Sequence, residues 1–524
     1  MDKVTAKRYV LVFSSLLTIG GAYCYDNPAA LKSQLQQRFH RIPKDRYEFL
    51  FNLSYSLYSV PNMILPLFGG LLIDRLGVRL MTVVLVTLVC VGQSIIALGS
   101  AATSIELILT GRVLFGIGGE TLSIAQTAFI TKWFDSHELA FVIGIASSIS
   151  TVASTLNYKL SPWFADTYHV TTALWIGAGV CGFSVLMGLL LIQIDRTHHR
   201  VRAPSTSTDG VSLRDLRRLG RLFWVIAAQF LVASCVGPFT NSAVSLLMER
   251  DFFQEPPVAC QRCGVGEYTR YCDAISPRCP SAPPFSWPLP RLAKNCSIQT
   301  PFDQYRCSKS PPYIQDDGIN CDDIAWRQGP FTARYCETKS QAAEAAAAAM
   351  GVTSLVPAVL FPLCGRLVDA VGRRPVFATV ATLMTAATML LVGYTRVSVT
   401  LPLFLLGASN CLFYASVYPS IPRMLSIDST VFDLSVVVVP AKSVGTAYGV
   451  IVTAANMGAA IVPFLVSAIY ARYGHYLPHV QALFIGFSGA NVALSAGFMA
   501  MDAASNHLLS RCADVSKEAL LAEY

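Results

Sequence analysis

Residues 69–80 read GGLLIDRLGVRL, and residues 364–375 read CGRLVDAVGRRP. Gly70, Asp74 and Gly77 of the first stretch match Gly365, Asp369 and Gly372 of the second, each pair 295 positions apart. A constant offset over three residue types marks an internal repeat, and repeats are sought before single residues are interpreted. A weaker echo pairs GIASSISTVAST from Gly144 with GVIVTAANMGAA from Gly449, 305 positions on. The chain therefore reads as two similar halves.

Each half is oily. Of the 524 residues 53% are hydrophobic and 14% charged, and the mean hydropathy is +0.48. Crossing the hydrocarbon of a bilayer takes about 20 apolar residues in a helix. Twelve such runs are expected, at 9–30, 47–72, 79–100, 105–132, 139–164, 172–194, 222–248, 341–368, 375–395, 399–420, 444–471 and 478–503. The first has a short basic lead and no small-residue cleavage site, so a retained span is expected and not a signal peptide. In lipid every backbone group must be satisfied within the protein, and these runs are far too long for barrel strands. The expected fold is all-α and polytopic: a six-helix bundle over 1–194, a basic linker over 195–221, and a second bundle over 222–506. A tail at 507–524 follows.

Lysines and arginines set the orientation. Lys3, Lys7 and Arg8 precede span 1, and Arg75 and Arg79 follow span 2. Seven arginines between Arg196 and Arg221 fill the linker, and Arg366, Arg373 and Arg374 bracket the turn between spans 8 and 9. With twelve spans all of these share one side, so both termini are expected in the cytoplasm. The formal charge of +8 is then a topology signal and gives no reason to expect nucleic-acid binding.

Eight of the 15 cysteines fall within 250–340: Cys260, Cys263, Cys272, Cys279, Cys296, Cys307, Cys321 and Cys336. An even, dense set in a proline-rich loop on the non-cytoplasmic side suggests a disulfide-stapled subdomain. Asn295, in Asn295-Cys296-Ser297, is a glycosylation acceptor usable only on that side. A zinc site is the rival reading of CQRC, but the loop contains no histidine and the compartment should be oxidising. No metal or cofactor is expected.

The repeat stretch resembles the loop signature of the major facilitator superfamily, Gly-x-x-x-Asp-Arg-x-Gly, and GRVLFGIGGE at 111–120 resembles its span 4 signature. The resemblance covers nearly the whole chain. It implies two halves that rock about a central site. It also implies that Asp74 accepts hydrogen bonds from the first amides of span 11, at Gly445-Thr446, whose helix dipole favours an anion. Arg75, Arg79, Arg112, Asp369 and Arg373 complete the expected gate, with Arg79 and Arg112 able to pair with such carboxylates. More narrowly, CYDNPAAL at 24–31, GRVLFGIGGETLSIAQ and SVGTAYGV at 443–450 are similar to the branch containing the lysosomal dipeptide uniporter. That branch implies dipeptide export from the lysosome lumen, with a glycosylated single-pass partner on the lumenal side.

Ionisable groups inside a span are costly and are functional hypotheses by default. Glu120 lies mid-way along span 4 and can meet an α-ammonium or a proton. Arg112 is eight residues away, about 12 Å along a helix, too far to pair with it directly. Pro28 disfavours helix at Asn27, so the end of span 1 is expected to unwind beside Tyr25, Asp26 and Asn27, lining a gate or site; an interfacial aromatic belt with a helix cap is the alternative. Pro238 before Thr240 and Asn241 repeats the device in span 7. In span 10, Asn410, Tyr414 and Tyr418 stack on one face; Asn410, like Asn456 in span 11, can serve substrate or helix packing.

One departure matters. Members of the dipeptide branch carry an arginine in span 5, a natural fork for a substrate carboxylate, and the alignment places Thr151 there. Either another cation serves, or the carboxylate is not read, or the substrate differs. The sequence thus points to an alternating-access transporter of small polar solutes, with dipeptides first. Proton-coupled transport of amino acids or other organic solutes, and a non-transporting receptor or sensor, are the alternatives. An enzyme finds little support: the eight histidines form no metal-ligand spacing, no nucleophile elbow appears, and FGIGG inside an apolar span reads as helix packing. Family resemblance places the protein in lysosome-like endomembranes, with the plasma membrane as the alternative.

Overall fold

The computed structural model describes residues 3–39, 42, 44–135, 138–198, 221–252, 321, 327–328, 333–395, 397–422 and 444–504. Among them, nine helices are long and apolar enough to cross a membrane, and Leu53–Met63 with Leu65–Leu76, bent by 52°, makes a tenth. The two remaining spans are interrupted. Span 1 runs as Lys3–Leu17, Ile19–Tyr25 and Asn27–Ala30, and span 7 as Arg221–Val236 and Phe239–Leu247, broken at Gly237-Pro238. Span 7 breaks at Pro238 itself, where proline removes a donor and crowds the preceding turn; span 1 breaks at Thr18 and Asp26, and the unwinding expected at Asn27 is not seen, because Asn27 and Pro28 open the next short helix, whose first turn tolerates proline.

The others follow in order. Span 2 is Lys44–Ser59 and Leu65–Leu76, span 3 Val78–Ala101, span 4 Ile105–Trp133, span 5 Leu139–Thr167 and span 6 Val170–His198. Span 8 is Ala333–Met350 with Val352–Val371, span 9 Arg374–Tyr394, span 10 Thr400–Val417, span 11 Val444–Tyr473 and span 12 His479–Ala504. Odd spans therefore run away from the face that carries Lys3 and Ala504, here the terminal face, and even spans run toward it. Span 8 begins before residue 341 because the alanine-rich stretch ahead of Met350 is a strong helix former.

Both copies of the repeat turn on a glycine with positive φ, Gly77 at 88° and Gly372 at 80°. That conformation costs other residues a Cβ clash, so the repeat keeps glycine there in both halves.

Across the halves, span 2 packs on span 11 and span 5 on span 8. The crossings are backbone-close. A Cβ on Gly70 would lie 2.2 Å from the carbonyl oxygen of Gly445, and one on Gly365 would lie 2.3 Å from that of Ala140. Further along the same helices, a Cβ on Gly449 would meet the Pro66 oxygen at 2.5 Å, and one on Gly144 the Phe361 oxygen at 2.6 Å. Small residues allow this approach where lipid supplies no hydrophobic drive between helices. Ile130, Trp133, Val142, Phe230, Phe413, Val417 and Tyr448 join one apolar cluster between the halves. Leucines and valines such as Leu72, Val84, Leu186, Leu367 and Leu383 are exposed on the outside, the surface that lipid covers.

The linker 199–220, the tail after residue 504, Asn295 and six of the eight loop cysteines (Cys260, Cys263, Cys272, Cys279, Cys296 and Cys307) lie outside the described residues. Cys321 and Cys336 are bonded as a disulfide.

Candidate functional site

Between the halves lies a cavity of about 620 Å³. Span 4 contributes Gly119, Glu120, Ser123, Gln126 and Thr127 to its wall, and span 5 contributes Ser147, Ser150, Thr151 and Ser154. Tyr25, Tyr58, Phe230, Tyr414, Tyr418 and Asn456 are among its other lining residues. Five of the expected site residues thus meet here: Glu120, Tyr25, Thr151, Tyr414 and Asn456.

Glu120 is half-buried, and the Tyr58 hydroxyl donates to its Oε1 at 3.0 Å. Tyr58 in turn packs edge-on against Tyr25, with ring centroids 4.9 Å apart. Burying a carboxylate beside a single hydroxyl leaves most of its charge uncompensated, so the position suits an incoming cation. Gly119 explains how Tyr58 gets there: a Cβ would lie 3.1 Å from the Tyr58 hydroxyl oxygen.

The span 5 wall is a hydroxyl face. Ser147, Ser150, Thr151 and Ser154 fall at i, i+3, i+4 and i+7, one side of a helix. Thr151 donates back to the Ser147 carbonyl at 2.9 Å, Ser150 pairs with Thr18 at 3.0 Å, and Ser154 donates to Asp26. Asp26 thus sits at the break of span 1 and is held to span 5 by a cavity-lining serine. Gln126 ties the same wall to span 1 by donating to the Ser14 carbonyl at 2.6 Å. The sequence reading missed this face, although its spacing was visible.

Several expectations are corrected. Asn27 is buried away from the cavity and accepts from Ser161 at 3.3 Å; the buried Tyr23 also bonds Ser161, at 2.9 Å. Asn410 is exposed and outside the cavity wall, although it shares a helix face with Tyr414. Asn456 serves packing as well as the cavity, donating to the Asn62 carbonyl across the halves at 2.8 Å. Asn241 lies in the outer segment of span 7, and its side chain lies outside the described part.

The expected gate is partly rearranged. Asp74 accepts from the amides of Gly445 at 2.9 Å and Thr446 at 2.7 Å, as its resemblance implied. Asp369 does the same in the other crossing, accepting from the Phe141 amide at 2.8 Å at the start of span 5. The arginines fall elsewhere. Arg79 donates to Asp195 at the end of span 6, where Lys132 and the Trp133 indole also converge. Arg75 and Arg373 are exposed; the buried Arg374 takes the role given to Arg373, bonding Asp369 at 3.0 Å and the Pro419 carbonyl at 2.6 Å. Arg112 is not at this end at all. Span 4 starts on the opposite face, so Arg112 is fully buried in the far half, donates to the Tyr25 carbonyl at 3.0 Å and stacks on Tyr55 at 5.1 Å.

The comparisons agree with this architecture. The model of the Major Facilitator Superfamily matches residues 11–252. Solved structures similar in fold include the transporter FucP in its outward conformation, with a TM-score of 0.57 at 13% identity over 93% of this chain and 98% of that one. The proton:xylose symporter XylE gives 0.60 at 12% identity over 95% and 96%. Over residues 11–252 the chain is thus similar to the major facilitator superfamily, and its fold is that of these multi-pass membrane transporters.

Among curated relatives the chain is similar to proteins named lysosomal dipeptide transporter MFSD1. The Mus musculus member is 26% identical over 91% of this chain and 83% of its own length. The Homo sapiens member is 25% identical over 90% and 82%, and the Danio rerio member 34% identical over 41% and 49%.

Proposed function

We propose that the protein moves small polar organic solutes, dipeptides first among them, by alternating exposure of the central cavity. The observation that carries this reading is Glu120 in the wall of a chamber between two pseudo-equivalent halves. An ammonium entering the cavity would pair with it, while Tyr25, Tyr414 and the hydroxyl face of span 5 offer donors and acceptors to a peptide backbone without selecting a side chain. Asp74 and Asp369 act as paired latches on the terminal face and release when the cavity opens there.

Dipeptides and a lysosomal membrane are suggested by the names of the relatives. Positive residues on the terminal face support termini in the cytoplasm, which makes the opposite face lumenal. A glycosylated single-pass partner on that face belongs to the same reading and rests on resemblance alone.

Counterflow in proteoliposomes tests it. Labelled dipeptide should exchange into vesicles preloaded with unlabelled dipeptide, and Glu120→Gln should abolish the exchange while the protein stays folded. Saturable binding without any exchange would favour the receptor reading instead.

A further inference from the structure

We propose that the cavity recognises its solute through one positive charge and does not read a carboxylate, so that organic monocations and carboxyl-masked peptides are its preferred cargo. This rests on the reading of the cavity as the substrate chamber. Its wall holds one carboxylate, Glu120, and no lysine, arginine or histidine among the described residues. Everything else polar there is neutral: hydroxyls, Gln126 and Asn456.

The cations nearest in the fold lie outside the wall: Lys132 and Arg374 are in ion pairs, and Arg112 is sealed from the cavity although its Nε and Nη1 make no hydrogen bond. Arg112 is fully buried behind Tyr25, Tyr58 and Phe115 and holds the Tyr25 carbonyl. Lys132 lies on Asp195 at 2.7 Å, and Arg374 on Asp369 at 3.0 Å. Lys159 is exposed on span 5, outside the wall. Thr151 already donates its proton to its own helix.

The consequence is a matter of charge balance. A monocation beside Glu120 leaves the chamber neutral. A zwitterion brings an additional negative charge into a confined space that already contains one and offers no cation to pair with it, and an unpaired buried charge is costly. Masking the carboxylate removes that cost and keeps the ammonium. Charge-assisted hydrogen bonds of this kind are worth enough to shift affinity about tenfold.

A matched ligand series decides it: alanyl-alanine, alanyl-alanine amide, N-acetyl-alanyl-alanine and a primary monoamine, measured by competition in counterflow and by thermal shift of the purified full chain. The amide should compete about tenfold better than the free acid, and the acetylated form should not compete. Glu120→Gln should remove the preference, and Thr151→Arg should turn it toward the free acid; if Thr151→Arg does not fold, the wild-type series alone decides. A free acid that outcompetes its amide overturns the proposal and leaves the dipeptide reading standing. Carriage of the monoamine and amide without any free-acid dipeptide supports the proposal and overturns the dipeptide reading. Absence of binding by every member overturns both.

Discussion

Asp74 and Asp369, 295 positions apart, each accept hydrogen bonds from the first amides of a helix in the other half. Asp74 takes Gly445 and Thr446, and Asp369 takes Phe141. A carboxylate at a helix N-terminus satisfies orphan donors and complements the dipole, worth about 0.5–2 kcal/mol in each place. Because the two pairs are symmetric, both hold the same end shut.

Asp74→Asn and Asp369→Asn should each loosen that end by about 1–2 kcal/mol, a factor of about 5–30 in population. Hydrogen–deuterium exchange at Gly445, Thr446 and Phe141 reads it directly. Unchanged exchange would remove the latch.

Gly70→Ala and Gly365→Ala place a methyl carbon 2.2 and 2.3 Å from a facing carbonyl oxygen. Neither crossing can then close as seen. Both variants should fold yet lose transport, because the state with this end shut is disfavoured. Gly179→Ala and Gly182→Ala meet nothing within 4 Å, lie outside the cavity wall and should transport normally; loss of function in all four would show a general intolerance of substitution instead.

Asp195 gathers Arg79, Lys132 and the Trp133 indole while its own side chain is fully buried. Asp195→Asn strands two cations that are only partly solvated. A loss of about 2 kcal/mol in thermal stability is expected, below the cost of breaking a fully buried pair. A neutral result would mean that the cations re-solvate freely.

Arg112→Lys separates the structural role of this arginine from gating. The guanidinium bonds Tyr25 and stacks on Tyr55 and Phe115, a geometry that lysine does not reproduce. Stability should fall by about 1–2 kcal/mol with no change in exchange at Gly445 and Phe141. Faster exchange there would return Arg112 to the terminal gate.

Much of this was legible. The offsets of 295 and 305 found in the sequence pair the very glycines and aspartates that form the two crossings, because each crossing needs a glycine for approach and a carboxylate for the facing helix end. Glu120 stood out because a charge in an apolar run has few uses. The gating arginines were misplaced for a physical reason: sequence gives a charge but not which of several acids it reaches. Arg112 is instructive, since span 4 runs toward the terminal face and a residue seven positions from its start lies only about 10 Å in from the other side. Asn410 and Tyr414 share a helix stripe, yet only the tyrosine reaches the cavity, because span 10 bears on it with one end.

Locking the crossing of spans 5 and 8 gives the most direct test of transport by alternating access. Ser148 bonds the Ala358 carbonyl across spans 5 and 8, so a Ser148→Cys, Ala358→Cys pair joined by a short bifunctional thiol reagent would fix the two halves there. Cross-linked protein should still bind alanyl-alanine amide but show no counterflow, with exchange restored when the linker is cleaved. Counterflow at the unlocked rate in fully cross-linked protein would contradict the mechanism.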